Sequence, residues 1–406
     1  MPHALAIRGG TAGADSSGGP QRAGPGAATP TLWLARVALT AFRSYARLDL
    51  ALDRRPGVLT GANGAGKTNL LEALSLLAPG RGLRRARLGE MARLDAAEPW
   101  AVAADLMTPE GPRQVGPGRD PEQPATAAER RVVRLDGRNE RSQARLAELL
   151  DVVWLTPQMD GLWRDGSSER RRFLDRLVYG FEPAHAGRVQ GYETALRERA
   201  RLLTERRGDP AWLAALEGEM AERAVAIAAA RRDLVGRLAA ACATAEGPFP
   251  RAGLALMGDA ESWLAEGSAL VVEDRLKAAW REARGRDAET GGAALGPHRS
   301  DLRATHLAKA MPAELCSTGE QKALLVSVVL AHARLVQLAR GRSGLLLLDE
   351  VAAHLDGERR AALYESLLAL GAQAWLTGTE GELFAALGSR AQHFLVADGA
   401  LRRLGQ

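Results

Sequence analysis

The chain has 406 residues, 46% hydrophobic and 25% charged, an ordinary globular composition with room for two domains or for one domain carrying an insertion. Two cysteines, Cys242 and Cys316, exclude a disulfide scaffold and point to a reducing, cytoplasmic setting. A balance of 54 basic to 49 acidic residues, net +5, is compatible with a polyanion partner, while 4% aromatics argue against a single-strand binder built on many stacked rings.

Residues 1–30 are rich in Gly, Ala, Ser and Pro without apolar periodicity, and read as a disordered extension or a start assigned too early. They show no apolar core behind a basic start, so no secretory signal is expected. Alternating apolar residues over 32–52 predict a strand pair, and 58–60 a short strand before a Gly-rich loop and a helix over 69–78. Strands are expected over 101–107 and 131–135, the latter turning at Asp136 and Gly137, with a loop over 109–124. A helix over 142–150 and a strand over 152–155 follow. Residues 168–245 read as helical, broken at Gly208, Asp209 and Pro210. Beyond a strand at 254–257 and a helix at 272–283, the last third predicts helix 320–339, strand 345–348, helix 357–370, strand 373–377 and a hairpin at Asp398 and Gly399. The longest apolar stretch, 323–339, holds His332, Arg334 and Gln337 and falls short of a membrane span. Strands alternating with helices imply an α/β fold around a parallel sheet.

Residues 61–68 read GANGAGKT, so Gly61, Ala62, Asn63, Gly64, Ala65, Gly66, Lys67 and Thr68 fit G-x-x-x-x-G-K-[ST] between a strand and a helix. Glycines let backbone N–H groups close around phosphate oxygens, and the positive end of the helix faces the same anion. Lys67 can reach the β and γ phosphates of ATP, and the Thr68 hydroxyl can ligate Mg²⁺. Only four of the 54 cationic residues are lysines (Lys67, Lys277, Lys309 and Lys322), and one stands where the loop requires it. The strand GLLLLDE, 344–350, delivers Asp349 and Glu350 at its carboxyl end, where parallel sheets bind ligands. Asp349 is the expected Mg²⁺ ligand, and Glu350 the expected catalytic residue that orients or deprotonates water. The plainer alternative is a pair of acids capping a strand.

CSTGEQK, 316–322, resembles the S-x-G-x-Q signature of ABC-type ATPases, with Ser317, Gly319 and Gln321 at its positions. Ser-x-x-Glu is also an ordinary helix capping box. Asp356, in AHLD, resembles the D-loop of the same superfamily, and Gln158, in LTPQMD, stands as a further metal-sensing candidate. Between Lys67 and Ser317 lie 250 residues, too many for a transporter subunit and with no long coiled coil. FRSY (42–45), GKTNLLEALSLLAPGRGLR (66–84), RRRFLDRLV (170–178), GPHRSDL (296–302) and LLLLDEVAAHLD (345–356) then resemble the bacterial RecF family of DNA repair proteins, from about Leu32 to the end.

The resemblance implies an ABC-type P-loop ATPase head. Lobe I, with a mixed or parallel sheet, would comprise 31–165 and 291–406, and a helical lobe II 166–290. It implies ATP and Mg²⁺ as cofactors and a head-to-tail homodimer formed around ATP. It also implies sequence-independent DNA binding at single-strand/double-strand junctions. RecO and RecR are the implied partners in loading recombinase, with support of replication and the SOS response and no membrane role. The chain departs from the pattern at Thr318 and Glu320, where Gly or Gln are usual, and a Glu320 facing a γ-phosphate would repel it, so it is expected to point away. The switch histidine of transporters is absent at 377–380. Arg81, Arg84, Arg85, Arg87 and Arg93 fall within 13 residues containing one acid, Glu90, and are either DNA-phosphate contacts or a solvated face. Two rivals stand beside this: an ABC-type ATPase subunit of a membrane transporter, and a nucleotide-binding scaffold without turnover.

Overall fold

A computed structural model describes residues 32–96, 98–119, 131–140, 143–205 and 209–405; the extension expected over 1–30, and Gly208 of the expected helix break, lie outside the described residues. The chain begins with an antiparallel ribbon, β1 (Trp33–Phe42) and β2 (Tyr45–Ala51), in which Leu39 faces Leu48. β3 (Gly57–Thr60) feeds α1 (Lys67–Ser75). β4 (Ala101–Thr108), β5 (Gly111–Arg119), β6 (Arg131–Leu135) and β7 (Arg138–Glu140) extend the ribbon into a six-stranded antiparallel sheet, ordered β2-β1-β4-β5-β6-β7.

The loop expected over 109–124 is therefore corrected: 111–119 is strand. Its Pro and Gly mask two inward-facing residues, Val115 and Pro117, and cross-strand pairing with β4 and β6 outweighs weak local propensity.

α2 (Ala144–Leu149) and β8 (Val152–Leu155) lead to the helices α3 (Ser167–Tyr179), α4 (His185–Thr204) and α5 (Pro210–Ala243). Asp209 caps α5 by accepting from Ala211 N–H at 2.9 Å, with Pro210 in the first turn. β9 (Ala252–Met257), α6 (Asp259–Glu266), α7 (Ala269–Thr290), β10 (Asp301–His306) and β11 (Met311–Pro312) follow, the three strands forming a small antiparallel sheet. The chain ends with α8 (Thr318–Arg340), β12 (Leu345–Leu348), α9 (Gly357–Ala369), β13 (Ala374–Gly378), β14 (Gln392–Ala397) and β15 (Ala400–Arg403).

The central sheet is ordered β15-β14-β3-β13-β12-β8 and is parallel except for the β14–β15 hairpin. It is buried on both faces, which is why β12 is four leucines in a row. Leu59, Trp154, Leu345, Leu347 and Trp375 pack with α1 and β1 on one face. Val58, Val153, Leu346, Leu348 and Leu376 pack with α3, α5, α8 and α9 on the other. By length and hydropathy α8 is long enough to cross a membrane, contrary to the sequence expectation, but 72% of its most apolar stretch is buried in this core.

Buried arginine pairs join the helices to one another and to the sheets. Arg231 of α5 grips Asp175 of α3 with two hydrogen bonds of 2.8 Å, and His185 approaches the same carboxylate at 2.8 Å. Burial alone would raise the Asp175 pKa; Arg231 and His185 outweigh it and hold the carboxyl far below the usual range. A depressed pKa contributes stability above the unfolded value, near pH 4, that is lost as pH falls toward the folded value. Arg231→Met leaves a buried carboxylate without its main partner and should cost about 3–5 kcal/mol at pH 7. Urea unfolding at pH 7 and pH 4 checks this: the parent keeps most of the Asp175 contribution at pH 4, whereas in the variant the buried carboxyl without Arg231 can take up a proton, so the gap should narrow in acid.

Candidate nucleotide site

The loop that follows β3 is shaped by close approach. At Gly61 (φ 149°) a Cβ would lie 2.2 Å from the Val396 carbonyl oxygen, and at Gly66 (φ 113°), which caps α1, 2.7 Å from Ser44 Oγ. Only glycine fits either place. The Tyr45 hydroxyl donates to the Gly66 carbonyl at 2.9 Å, so the β1–β2 ribbon supports the loop. Ala62, Asn63 and Gly64 are exposed and Ala65 is half-buried. Lys67 is buried, 4% exposed, and its ammonium donates to the carbonyls of Gly61 at 2.6 Å and Ala62 at 2.9 Å. Burial lowers its pKa, and the nearby Glu350 and Asp349 oppose that shift.

Across the sheet the Thr68 hydroxyl stands 3.1 Å from both oxygens of Asp349. Thr377, at the end of β13, donates its hydroxyl to Asp349 Oδ1 at 2.8 Å and accepts the Glu350 N–H at 2.9 Å. One threonine thus fixes both acids. Glu350 holds a left-handed φ of 55°, a costly conformation for a side chain with a Cβ. Burial raises the Asp349 pKa, against the hydroxyls of Thr377 and Thr68. A hydroxyl and a carboxylate facing each other are hard oxygen donors suited to Mg²⁺. Among the described residues no cluster of three His, Cys, Asp or Glu side chains exists, so such a cation would complete its shell with water and phosphate.

The arginines of 81–93 divide. Glu72 of α1, fully buried, is held by Arg43 at 2.9 and 2.8 Å and by Arg84 at 3.0 Å, and Arg84 also reaches Asn69 Oδ1 at 2.6 Å. Arg84 is thus tied to α1 while itself remaining exposed, and Arg93 donates to the Ser44 carbonyl at 2.9 Å. Arg81, Arg85 and Arg87 are exposed. Arg81, Arg84 and Arg85 line a cavity of about 640 Å³ with Arg172, Arg176 and Gln158, to which Asp349 and Lys67 do not contribute. Arg176 lies 4.0 Å over the Trp154 ring, and burial lowers its pKa to about 9. Arg85 is lowered by burial and by Arg172.

Ser317 caps α8, and among the described residues its side chain and N–H bond within that turn, to Glu320. Gly319 is open to solvent. Gln321 is buried, its amide donating to the Cys316 carbonyl at 2.8 Å. Asp356 is exposed and caps α9, accepting the Arg359 N–H at 2.8 Å. Lys67, Thr68, Asp349 and Glu350 therefore come together, whereas among the described residues no hydrogen bond or ion pair joins 317–321 to 61–68. The ties run instead through the segment after β8: Trp163 Nε1 donates to the Gln321 carbonyl at 3.2 Å, and Lys322 meets Asp160 at 3.1 Å. Sequence reasoning missed Thr377, Glu72 and Asp160 as partners, because each acts on a residue far off in the chain.

Comparison with known proteins agrees with this geometry. The family described as RecF/RecN/SMC N terminal domain matches residues 33–392. Among similar proteins, DNA replication and repair protein RecF of Rhizobium rhizogenes is 49% identical over 92% of this chain and 99% of its own length. The protein of the same name from Rhizobium etli is 50% identical over 90% of this chain and 97% of its own. A solved structure of the recombination mediator protein RecF with ATPrS superposes with a TM-score of 0.78 at 20% identity, over 93% of this chain and 99% of that one. The Smc head domain of Pyrococcus furiosus gives 0.52 at 16% identity, over 92% and 96%. The ABC-type ATPase head is thus the fold of this chain, and by identity of about half along nearly its whole length the chain belongs to the RecF family.

Proposed function

We propose that the chain is an ATP-dependent DNA-binding protein of recombinational repair and replication-fork maintenance. Two copies close around ATP and DNA as a clamp that helps load recombinase at single-strand gaps and supports the SOS response. The observation that carries this is the 49–50% identity to proteins named DNA replication and repair protein RecF. RecO and RecR are the proposed partners and the cytoplasm the proposed location. No observation favours the transporter-subunit alternative. Residues 31–165 and 291–406 form the proposed nucleotide lobe, and 166–290 the helical one.

In this mechanism Lys67 and the 61–66 backbone would hold the ATP phosphates, and Thr68 and Asp349 would hold Mg²⁺. The cation, when bound, neutralises phosphate charge. Glu350, aimed by its strained backbone and by Thr377, holds the attacking water. Ser317 and Gly319 of one subunit, with Asp356 beside the seam, close on the nucleotide of the other, and slow hydrolysis reopens the dimer. The proposed DNA-facing cations are Arg81, Arg84, Arg85 and Arg87, with Arg84 also supporting the nucleotide site through Glu72.

Three outcomes are expected. Lys67→Ala should abolish nucleotide binding, and Ser317→Arg should bind ATP yet fail to dimerise. Mixed, the two should form one complete site per heterodimer and recover part of the DNA-stimulated ATPase; a mixture as inactive as its components would favour a site closed within one chain. Thr377→Val keeps the shape but unties Glu350 from Asp349, so ATP affinity should hold while single-turnover hydrolysis falls by about tenfold or more. Neutralising Arg81 and Arg85 should weaken DNA binding alike for all sequences and flatten the log–log salt slope by about one to two units. An unchanged slope in the folded variant would return them to the solvated face.

A further inference from the structure

Three of the four lysines in this arginine-dominated chain adjoin the ATP machinery. Lys67 is in the phosphate loop, Lys322 pairs with Asp160, and Lys309 pairs with Glu320. Lys277 makes a surface pair with Asp274 one helical turn away. Lys309 stands on the turn between β10 and β11, outside the helix that carries its partner.

The contacts of Glu320 bear directly on Ser317. Its Oε2 accepts both the Ser317 N–H, at 3.0 Å, and the Ser317 hydroxyl, at 2.9 Å. Its Oε1 accepts the Lys309 ammonium. The Ser317 hydroxyl carries one hydrogen, and in the proposed shared site it turns, with the Gly319 backbone, to a γ-phosphate at the start of α8. An internal carboxylate therefore occupies the Ser317 donors, the hydroxyl among them, where the nucleotide would bind. Glu320 cannot keep them and also admit phosphate, and once displaced it would face a second anion at short range. The Lys309 contact uses the other oxygen and none of the Ser317 donors. It can persist while Ser317 turns to phosphate, leaving the carboxylate neutralised and held.

We propose that Lys309 is a positioning residue of the composite ATP site: it holds and neutralises Glu320 so that the Glu320–Ser317 contact can open to the γ-phosphate of a partner subunit. This rests on the shared-site function proposed above. A plain capping box accounts for the Ser317–Glu320 contact but assigns no role to a lysine from another element. It predicts that Lys309 matters to stability alone.

The test uses the full chain as wild type, Lys309→Met, Glu320→Gln and the double variant. Glutamine keeps the cap and removes the charge. ATP binding to the monomer, ATP-dependent dimerisation by sedimentation, and thermal melting are measured on each. Monomer ATP affinity and melting should be nearly unchanged throughout. Lys309→Met should weaken the ATP dimer by about tenfold, and Glu320→Gln should match or exceed wild type. The double variant should dimerise like Glu320→Gln, because the lysine matters only opposite a carboxylate. A Lys309→Met protein that dimerises as wild type, or a defect that persists in the Glu320→Gln background or follows the melting temperature, overturns the proposal. If the wild type does not dimerise with ATP, or Ser317→Arg dimerises equally well, the shared-site function itself falls and takes this role of Lys309 with it.

Discussion

A buried carboxylate at the end of a strand of four leucines is the constraint around which the central sheet is arranged. Burial pushes Asp349 toward its neutral form, which is a poor cation ligand, and the hydroxyls of Thr68 and Thr377 oppose it. Two hydroxyls can reach one carboxylate only if β13 lies between β3 and β12, as it does. A one-residue slip of β13 would turn Thr377 to the other face. The register is keyed by Trp375, which pairs with Gly57 so tightly that a Cβ there would lie 2.8 Å from the indole. A glycine at the start of one strand thus supports the chemistry at the end of another.

The strings most telling of family turn out to be cross-links. Arg170, of RRRFLD, takes Asp301 of GPHRSDL in a two-pronged pair at 2.6 and 3.0 Å and reaches the carbonyls of Leu162, Trp163 and Asp165. Arg171 donates to the Ser300 carbonyl, Arg231 to that of Pro297, and the Tyr192 hydroxyl meets His298 at 2.8 Å. Guanidinium suits this work, because five donors in a rigid fork satisfy several acceptors at once where an ammonium has only three. These residues bear geometry, and the phosphate chemistry lies elsewhere.

That division explains what could be read from the sequence. β8 and β12 were legible to the residue, because a strand buried on both faces leaves an unbroken apolar run. That residues 61–68 would meet Asp349 was legible because their spacing along the backbone is itself the motif. β5 was hidden by Pro and Gly, and α6, β10 and β11 are short and held by neighbours distant in sequence. Arg81 and Arg84 look alike as charges, yet Arg84 is claimed by Glu72, which reads as a surface acid and is fully buried. Partners fixed by tertiary placement leave no local mark, which is why Thr377 and Lys309 emerge only in three dimensions.

The separation of Lys67 from Ser317 within one chain has a mechanical counterpart. The Asp349 N–H donates to the Leu155 carbonyl at 2.9 Å, so the acid and the end of β8 move together. From there the chain reaches α8 within a few residues, through Lys322 to Asp160 and through Trp163 to the Gln321 carbonyl. Arg170 binds three carbonyls of the same segment and stiffens it. Stiffness is the relevant property, because a loose connector would absorb a small displacement, whereas a packed one with two arrangements transmits it. Asp349 and the start of α8 are therefore joined by a short chain of fixed contacts, the kind of link that the proposed ATP-dependent closure of two copies would need.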